Sequence, residues 1–339
     1  MGRRMDWLAL AVSLVIILGG AELFTNGVEW VGEGFGLSEG AVGSVLAAIG
    51  TALPETLLPF VAIFGGHAAG EEIGIGAILG APLMLSTLAL CAFGVTVLVT
   101  SRRGSRSPDI EQDPGVIAED MRFFLPMYGA AFLVGIVPVF ALHVALVPVL
   151  LVAYGLYVRR RLRGSGVEGT EAAGEVRPLR FARWLGRPVA TMGLSISQTL
   201  VALAILVAGA ELFVRVVERL ATRLGISELL FSLLVAPVAT ELPEAMNASV
   251  IWARRGKDIL ALGNVAGAMV FQSAIPVSLG LLFTSWRLDA VSGAAAAIAL
   301  LAAGIVLVTA RVRGALDPRL LALQGLLWLG YVAFVLTRI

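Results

Sequence analysis

Residues 20–24 read GAELF, and the same five letters return at residues 209–213. Residues 53–55 read LPE, and this triplet returns at residues 242–244. Both intervals are 189 residues long, so the two copies keep one register between the motifs. Chance rarely preserves register over such a length, so the sequence predicts a fold built from two copies of one unit.

The composition is typical of a membrane protein. Of the 339 residues, 58% are hydrophobic and 14% are charged, whereas a soluble domain carries about 25% charged residues. Apolar stretches of about 20 residues, each long enough to cross a bilayer as a helix, recur along the chain. The net charge of +1 and the scattered basic residues do not indicate a nucleic-acid partner. We predict ten spans, at residues 6–30, 38–65, 72–100, 121–136, 139–158, 193–218, 226–253, 258–285, 289–310 and 316–337.

Equivalent points of the two copies lie five spans apart. Because five is odd, the second copy enters the membrane from the opposite side. The predicted fold is an all-α polytopic membrane protein with ten transmembrane helices in two inverted five-helix repeats. The repeats cover residues 1–158 and 191–339, and a flexible linker covers residues 159–190. Many secondary transporters have this design and bind their substrate at the repeat interface near the membrane midplane.

The distribution of basic residues predicts the orientation. The linker and the soluble segment 101–120 fall on one side, together with most Arg and Lys residues of the chain. Basic loops stay in the cytoplasm, so we expect a cytoplasmic linker and external termini in the cell (inner) membrane. An odd number of spans, with one terminus inside, is the alternative. Nothing in the sequence indicates the oligomeric state.

In each copy a proline precedes a carboxylate within the second span: Glu55 follows Pro54, and Glu244 follows Pro243. A proline removes a backbone donor and crowds the carbonyl four residues earlier, so each helix is expected to kink or unwind. Kinking would free carbonyl oxygens just before each carboxylate. Carbonyl and carboxylate oxygens together suit a hard cation such as calcium or sodium.

A carboxylate at membrane depth costs about 2.5–3.5 kcal/mol on insertion scales, so it normally has a partner or a purpose. At matched positions Glu55 and Glu244 can face each other across the symmetry axis. Two negative charges there attract a divalent cation or bind protons. The alternative is a pair of protonated acids that only pack the helices.

Other polar residues have weaker assignments. Gln272 either adds an oxygen to the site or bonds a neighbouring helix. The repeated Glu22 and Glu211 favour gating or packing over ion binding. His67 and His143 are lone histidines near helix ends, where pH sensing is a minor alternative.

Two pairs of glycines four residues apart, Gly76/Gly80 and Gly263/Gly267, also recur between the copies. Small residues at this spacing let helices approach closely. We therefore expect the third and eighth spans to pack against the proline-containing helices.

The duplicated motifs resemble the sodium/calcium exchanger family of the cation/calcium antiporter superfamily. That family carries a Gly-Thr-Ser-Leu-Pro-Glu core and a Gly-Asn-x-x-Gly-Ser-Asn element in each inverted repeat. Here the cores are GTALPE at residues 50–55 and ATELPE at 239–244, and the later elements lie at 76–82 and 263–269. The resemblance implies alternating access, with the first and sixth helices sliding past the other eight.

The resemblance also implies the ion ligands. Glu55 and Glu244 would bind calcium, helped by backbone oxygens of the two motif threonines, while two further carbonyls match positions that help to bind sodium. The candidate ligands are therefore Glu55, Glu244, Thr51, Thr240, Gln272, Glu241, Ala48 and Pro237.

The sequence departs from the family pattern at several sodium-binding positions. The residues in place of family serines are Ala52, Glu241, Ala81 and Ala268, and those in place of Asn or Asp are Leu85 and Gln272. Side-chain oxygens are thus lost while one acid is gained. Sodium needs neutral oxygens, whereas a proton needs only a carboxylate, so both counter-ions stay open.

The predicted function is secondary antiport of Ca²⁺ against Na⁺ or H⁺ without a cofactor. The sequence contains no phosphate-binding glycine loop and no catalytic nucleophile constellation. Transport of another divalent cation such as Mg²⁺ or Mn²⁺ is an alternative, because oxygen ligands alone do not exclude it. A membrane enzyme that uses the two acids as general acid and base is a further alternative.

Overall fold

The structure, a computed structural model, describes residues 2–35, 47–111, 114–137, 139–164, 178–186, 191–241 and 247–338. Within these residues every regular element is helical. The α-helices are α1 (Gly2–Gly34), α2 (Ala47–Phe64), α3 (Gly70–Met84), α4 (Leu90–Arg102), α5 (Pro114–Ile136), α6 (Phe140–Gly164), α7 (Arg180–Trp184), α8 (Met192–Leu224), α9 (Glu228–Thr240), α10 (Asp258–Gln272), α11 (Ile275–Phe283), α12 (Ala290–Arg313) and α13 (Pro318–Leu336). Two π-helical segments, Leu85–Ala89 and Asn247–Trp252, complete the set.

Helices occupy most of the described parts of the ten predicted spans, but the span predicted at 258–285 is two helices, α10 and α11, separated by Ser273 and Ala274. α5 ends at Ile136 and α6 begins at Phe140, which agrees with the predicted boundary between the fourth and fifth spans. Among the described residues, seven stretches are long and apolar enough to cross a membrane: Arg4–Gly34, Gly70–Arg102, Phe140–Arg161, Met192–Leu224, Asp258–Phe283, Ala290–Arg313 and Pro318–Leu336. The all-α membrane fold is confirmed, and the number ten stays a prediction.

Helices α1 and α8, one from each copy, pack along each other as a pair. The equivalent glycines of the GAELF motif lie at this contact. A Cβ at Gly20 would lie 3.0 Å from Leu206 Cγ, and one at Gly209 would lie 2.9 Å from Ile16 Cγ2. Glycine is present in both copies of the motif because it lets the two helices approach closely.

Two apolar clusters fill the interior. One is centred on α1 and α8, with faces of α2, α3 and α9 packed against them, and includes Ile17, Leu206 and Phe213. The other joins α3–α6 with α9–α13 and includes Phe124 and Trp286. The α1–α8 pair therefore meets the rest of the bundle across an apolar face.

The first segment predicted to be soluble is tied to the bundle. Arg106 extends from the loop after α4 to Asp258 at the start of α10, and the Arg106 side chain is only 6% exposed. Such deep burial of arginine occurs almost only when the charge is paired. The sequence shows the charged composition of this loop but not its docking.

The described part of the linker also contacts the bundle. The backbone N–H of Phe181 donates to Gln198 Oε1 at 2.8 Å, and Gln198 Nε2 donates to Asn26 Oδ1 at 3.0 Å. Arg180 forms an ion pair with Glu22 of α1. Residues 178–186 are thus fixed to α1 and α8, whereas the sequence suggested a flexible linker throughout.

Candidate functional site

The proline-containing helix of the second copy ends where an interruption was predicted. α9 stops at Thr240, and Glu241 follows as its cap residue, with its N–H donating to Pro237 O at 2.8 Å. The Thr240 hydroxyl lies 3.4 Å from Ala236 O. A helix end leaves carbonyl oxygens of the last turn available to a ligand or a cap.

The equivalent proline motif of the first copy lies inside a continuous helix. α2 is α-helical from Ala47 to Phe64, so Pro54 does not end the helix. The sequence predicted a kink or an unwound turn before Glu55, and the turn is not unwound, because residues 48–51 are α-helical. A proline removes one backbone hydrogen bond, and the remaining bonds of this 18-residue helix keep it continuous.

A cluster of three buried polar side chains lies where α2, α9 and α10 meet. Gln272 is the last residue of α10, and its Nε2 atom donates to Glu55 Oε2 and to Glu241 Oε1, each at 2.7 Å. Glu55, Glu241 and Gln272 are 5%, 0% and 1% exposed. One amide nitrogen thus holds two carboxylates, one from each copy of the proline motif.

The first glycine pair places α9 in this cluster. A Cβ at Gly80 would meet the carbonyl oxygen of Leu233 and lie 2.6 Å from Pro237 Cγ, and a Cβ at Gly76 would meet Leu229 O. Because glycine has no Cβ, α3 lies directly on the backbone of α9. The predicted close packing at Gly76 and Gly80 is confirmed.

The second glycine pair is packed differently. At Gly263 an added Cβ would meet nothing within 4 Å among the described residues, and at Gly267 it would meet only the Tyr157 hydroxyl at 3.6 Å. Within the described part of the chain this pair shows no close approach, and the expectation for the eighth span stays a prediction.

The electrostatics of the cluster favour the binding of positive charge. The Gln272 amide is neutral, so its two hydrogen bonds orient Glu55 and Glu241 without cancelling their charges. Two like charges this close together in a buried site attract positive charge. The arrangement can bind a proton or an oxygen-seeking cation.

The structure places only some of the predicted ligands next to one another. It brings Glu55, Glu241 and Gln272 together, with Pro237 and Thr240 in the last turn of α9 beside Glu241. Glu244 lies outside the described residues. Ala48 and Thr51 lie in α2, where the structure describes their backbone but not their side chains.

Of the two roles predicted for Gln272, the structure shows the bond to neighbouring helices. It presents its amide nitrogen to the acids in this structure, so a role as oxygen ligand requires the amide to turn. The contact between Glu241 and Gln272 was not anticipated either. The signal that pointed to it is the acid at position 241, where the family core has a serine.

Comparison with known proteins identifies the family. The model of the sodium/calcium exchanger protein family matches residues 5–162 and 194–339. A putative antiporter, CaxA of Alkalimonas amylolytica, is 25% identical over 316 residues, which cover 89% of this chain and 88% of that protein. The inner membrane protein YrbG of Escherichia coli K12 is 25% identical over 287 residues, which cover 83% of this chain and 80% of that protein.

Solved structures share the fold. The crystal structure of the H⁺/Ca²⁺ exchanger CAX has a TM-score of 0.70 and 16% identity, and the match covers 97% of this chain and 82% of that one. The sodium-calcium exchanger NCX_Mj, soaked with 2.5 mM Na⁺ and 10 mM Sr²⁺, has a TM-score of 0.57 and 22% identity, with 97% and 98% covered. Since the family model spans both copies of the duplicated unit, the chain belongs to the sodium/calcium exchanger protein family and is a membrane ion exchanger, not an enzyme.

Proposed function

We propose that this protein exchanges Ca²⁺ for H⁺ by alternating access, at a midplane site that includes Glu55, Glu241 and Glu244. The observation that carries the proposal is the Gln272 amide nitrogen, which lies 2.7 Å from an oxygen of each of two buried carboxylates. Membership of the exchanger family supports a Ca²⁺ antiporter. The choice of proton as counter-ion follows from the chemistry of this cluster.

Proton binding fits the geometry of the two acids. Both carboxylates are within reach of one nitrogen atom, so they lie close to each other in a buried site. Two like charges so close together in a buried site repel each other. With Ca²⁺ absent, a proton on Glu55 or Glu241 relieves the repulsion.

Calcium binding fits the same atoms after one change. Among the described residues, Gln272 Oε1 accepts no hydrogen bond. Turning the amide would bring this oxygen towards the ion and move the nitrogen away. Carboxylate, amide and carbonyl oxygens at roughly 2.3–2.6 Å are the ligands that Ca²⁺ prefers. Ca²⁺ and a shared proton would then exclude each other, as antiport requires.

Sodium is a poorer fit to these residues. Positions where neutral oxygens would be needed carry Ala81 and Leu85, which are both buried apolar side chains. The NCX_Mj structure shares only the fold at 22% identity, so its sodium dependence does not transfer to this chain. The alternating-access motion is supported by the separate apolar cluster centred on α1 and α8.

The orientation belongs to the proposal as well. The loop that docks through Arg106 and the linker would face the cytoplasm, and the turn between α2 and α3 would face outside, in the cell membrane. The excess of Arg and Lys on the linker side supports this orientation.

Calcium uptake into proteoliposomes tests the proposal. The purified protein is reconstituted, and uptake is compared with acid inside, with Na⁺ inside, and with no gradient. We expect uptake only with acid inside, together with alkalinisation reported by a dye in the lumen. Uptake driven only by Na⁺ would assign sodium as the counter-ion, and uptake insensitive to both gradients would refute antiport. Competition by Mg²⁺ and Mn²⁺ in the same assay tests the choice of divalent cation.

A further inference from the structure

The turn between α2 and α3 is attached to α8 through two acidic side chains. His67 Nε2 lies 3.1 Å from Glu211 Oε2, and His67 Nδ1 lies 3.7 Å from Glu218 Oε2. The backbone N–H of Ala69 donates to Glu218 Oε1 at 3.0 Å. The His67 side chain is 11% exposed. An isolated histidine of the sequence is therefore held between two carboxylates that are two helical turns apart on α8.

The contact of His67 with Glu211 and Glu218 joins two parts of the bundle that would move past each other in the proposed transport cycle. α8 belongs to the α1–α8 pair, which meets the rest of the bundle across an apolar face. The α2–α3 turn belongs to the part against which the pair would slide. Sliding of α8 along α2 would separate Glu211 and Glu218 from His67, so the contact marks one state of the cycle.

The duplication shows that both acids are part of the repeated unit. Glu211 and Glu218 are the second copies of Glu22 and Glu29, at the same interval as the other motifs. The turn equivalent to residues 65–69 lies at the start of α10 and contains Arg254, Arg255 and Lys257. In the first copy the structure pairs Glu22 with Arg180 of the linker, so the contact with a histidine belongs to the acids of the second copy. In the α2–α3 turn the basic side chain is a histidine, and in the other turn the charges are permanent.

We propose that His67, Glu211 and Glu218 form a proton-operated latch, which holds α8 against the α2–α3 turn when His67 is protonated. The proposal rests on the alternating access proposed above. A neutral imidazole donates one hydrogen bond, whereas an imidazolium donates from both nitrogens and adds charge attraction to each carboxylate. Acid on the face of the α2–α3 turn therefore stabilises the latched state and slows the cycle.

The other charged groups around the latch do not change the expectation that acid stabilises the latched state. Arg215 bonds Glu211 Oε2 at 3.1 Å on the same helix. Glu71 accepts from Ser285 N at 2.6 Å. Arg219 and Arg223 on α8 both pair with Asp6 of α1. The remaining charged groups nearby are Glu72 on α3 and Glu228 on α9. Histidine is the side chain that commonly changes charge near neutral pH, so it is the group that sets the response.

Calcium self-exchange tests the latch without a counter-ion gradient. Proteoliposomes hold equal Ca²⁺ and equal pH on both sides, and tracer exchange is measured from pH 5.5 to 8.5. The rate of His67→Gln divided by the wild-type rate should rise at least threefold towards pH 5.5 and approach one at pH 8.5. Competition of protons with Ca²⁺ at the site affects both proteins and cancels in this ratio. Arg313→Gln, which changes an exposed ion pair with Asp317 outside the latch, should give a ratio that does not depend on pH.

Amide hydrogen exchange of the wild-type protein and of His67→Gln gives a readout that is independent of transport. The Ala69 amide is protected by Glu218 in the latched state, so exchange of the peptide covering residues 65–72 should be faster in His67→Gln, and the difference should grow with acid. A pH-independent ratio of self-exchange rates, or equal amide exchange in both proteins, would overturn the latch. Absence of any Ca²⁺ exchange in the wild type would refute the proposed function, while the amide measurement would still decide the latch.

Discussion

Arg106 donates two parallel hydrogen bonds to Asp258, from Nη1 to Oδ1 at 2.8 Å and from Nη2 to Oδ2 at 2.7 Å. The Asp258 side chain is fully buried, and it also accepts the backbone N–H of Glu111 at 2.9 Å. The loop after α4 is therefore anchored to the first turn of α10. The position of Gln272, at the other end of the same helix, depends on how α10 is held.

Removing the arginine should destabilise the protein. Arg106→Gln leaves a buried carboxylate without its partner, which typically costs about 3–5 kcal/mol. We expect a clear fall in the thermal unfolding midpoint of the protein in detergent. Arg313→Gln is the matched control, because Arg313 and Asp317 are 3.7 Å apart and both are well exposed, and such pairs contribute about 0–1 kcal/mol. Equal midpoints for the two variants would show that the buried pair has no special role.

Removing the charge at position 241 should weaken proton coupling. Glu241→Gln keeps the size of the side chain and lets its amide oxygen accept from Gln272, but the second carboxylate of the cluster is lost. We expect Ca²⁺ uptake driven by acid inside to fall at least tenfold, with fewer protons exported per Ca²⁺. Lumenal pH and Ca²⁺ uptake measured together give that ratio. An unchanged ratio would remove Glu241 from the proton pathway.

Neutralising either motif glutamate should abolish Ca²⁺ transport. In Glu55→Gln and in Glu244→Gln one carboxylate is lost from the proposed ion site, so uptake should fall to the level of empty vesicles while the protein remains folded. Glu72→Gln is the control, because Glu72 is an exposed acid at the start of α3. Retention of the wild-type rate in both motif variants would contradict the assignment of the site.

Adding one methyl group at the α3–α9 contact should also be harmful. In Gly80→Ala the new Cβ meets Leu233 O and Pro237 Cγ, and overpacking of this kind costs about 1–3 kcal/mol. We expect a lower unfolding midpoint and slower transport, because Pro237 lies one turn before Glu241. Gly263→Ala is the matched control, since its Cβ meets nothing within 4 Å among the described residues. The close contact would be disproved by two alanine variants of equal stability.

The duplicated letters predicted the fold because a repeat is visible in the sequence itself. GAELF and LPE each occur twice, and each copy of GAELF carries the glycine that lets α1 and α8 touch. The break between α5 and α6 was also predictable, because proline disfavours a continuous helix. Both predictions rest on residues that lie close together in the sequence.

Contacts between residues that are far apart in the sequence could not be predicted from such motifs. Gln272 follows Glu55 by 217 residues, and Glu211 follows His67 by 144. Which atom of an amide faces an acid depends on helix packing that a motif does not encode. The two proline motifs show this most clearly: α2 continues through Pro54, while α9 stops at Thr240 before Pro243. Both copies share the Leu-Pro-Glu triplet, but α9 carries Pro237 and Glu241 where α2 carries Ala48 and Ala52, and the triplet alone does not predict which helix ends.

The pairing of helices across the two copies has a consequence for the history of the chain. α1 lies against α8 and α3 lies against α9, so each copy covers apolar surface that the other copy exposes. One copy alone would leave these faces without partners and would associate with a second copy inserted upside down. The pairing across the copies is what we expect of a chain that arose by fusion of two half-sized copies packed in opposite orientations.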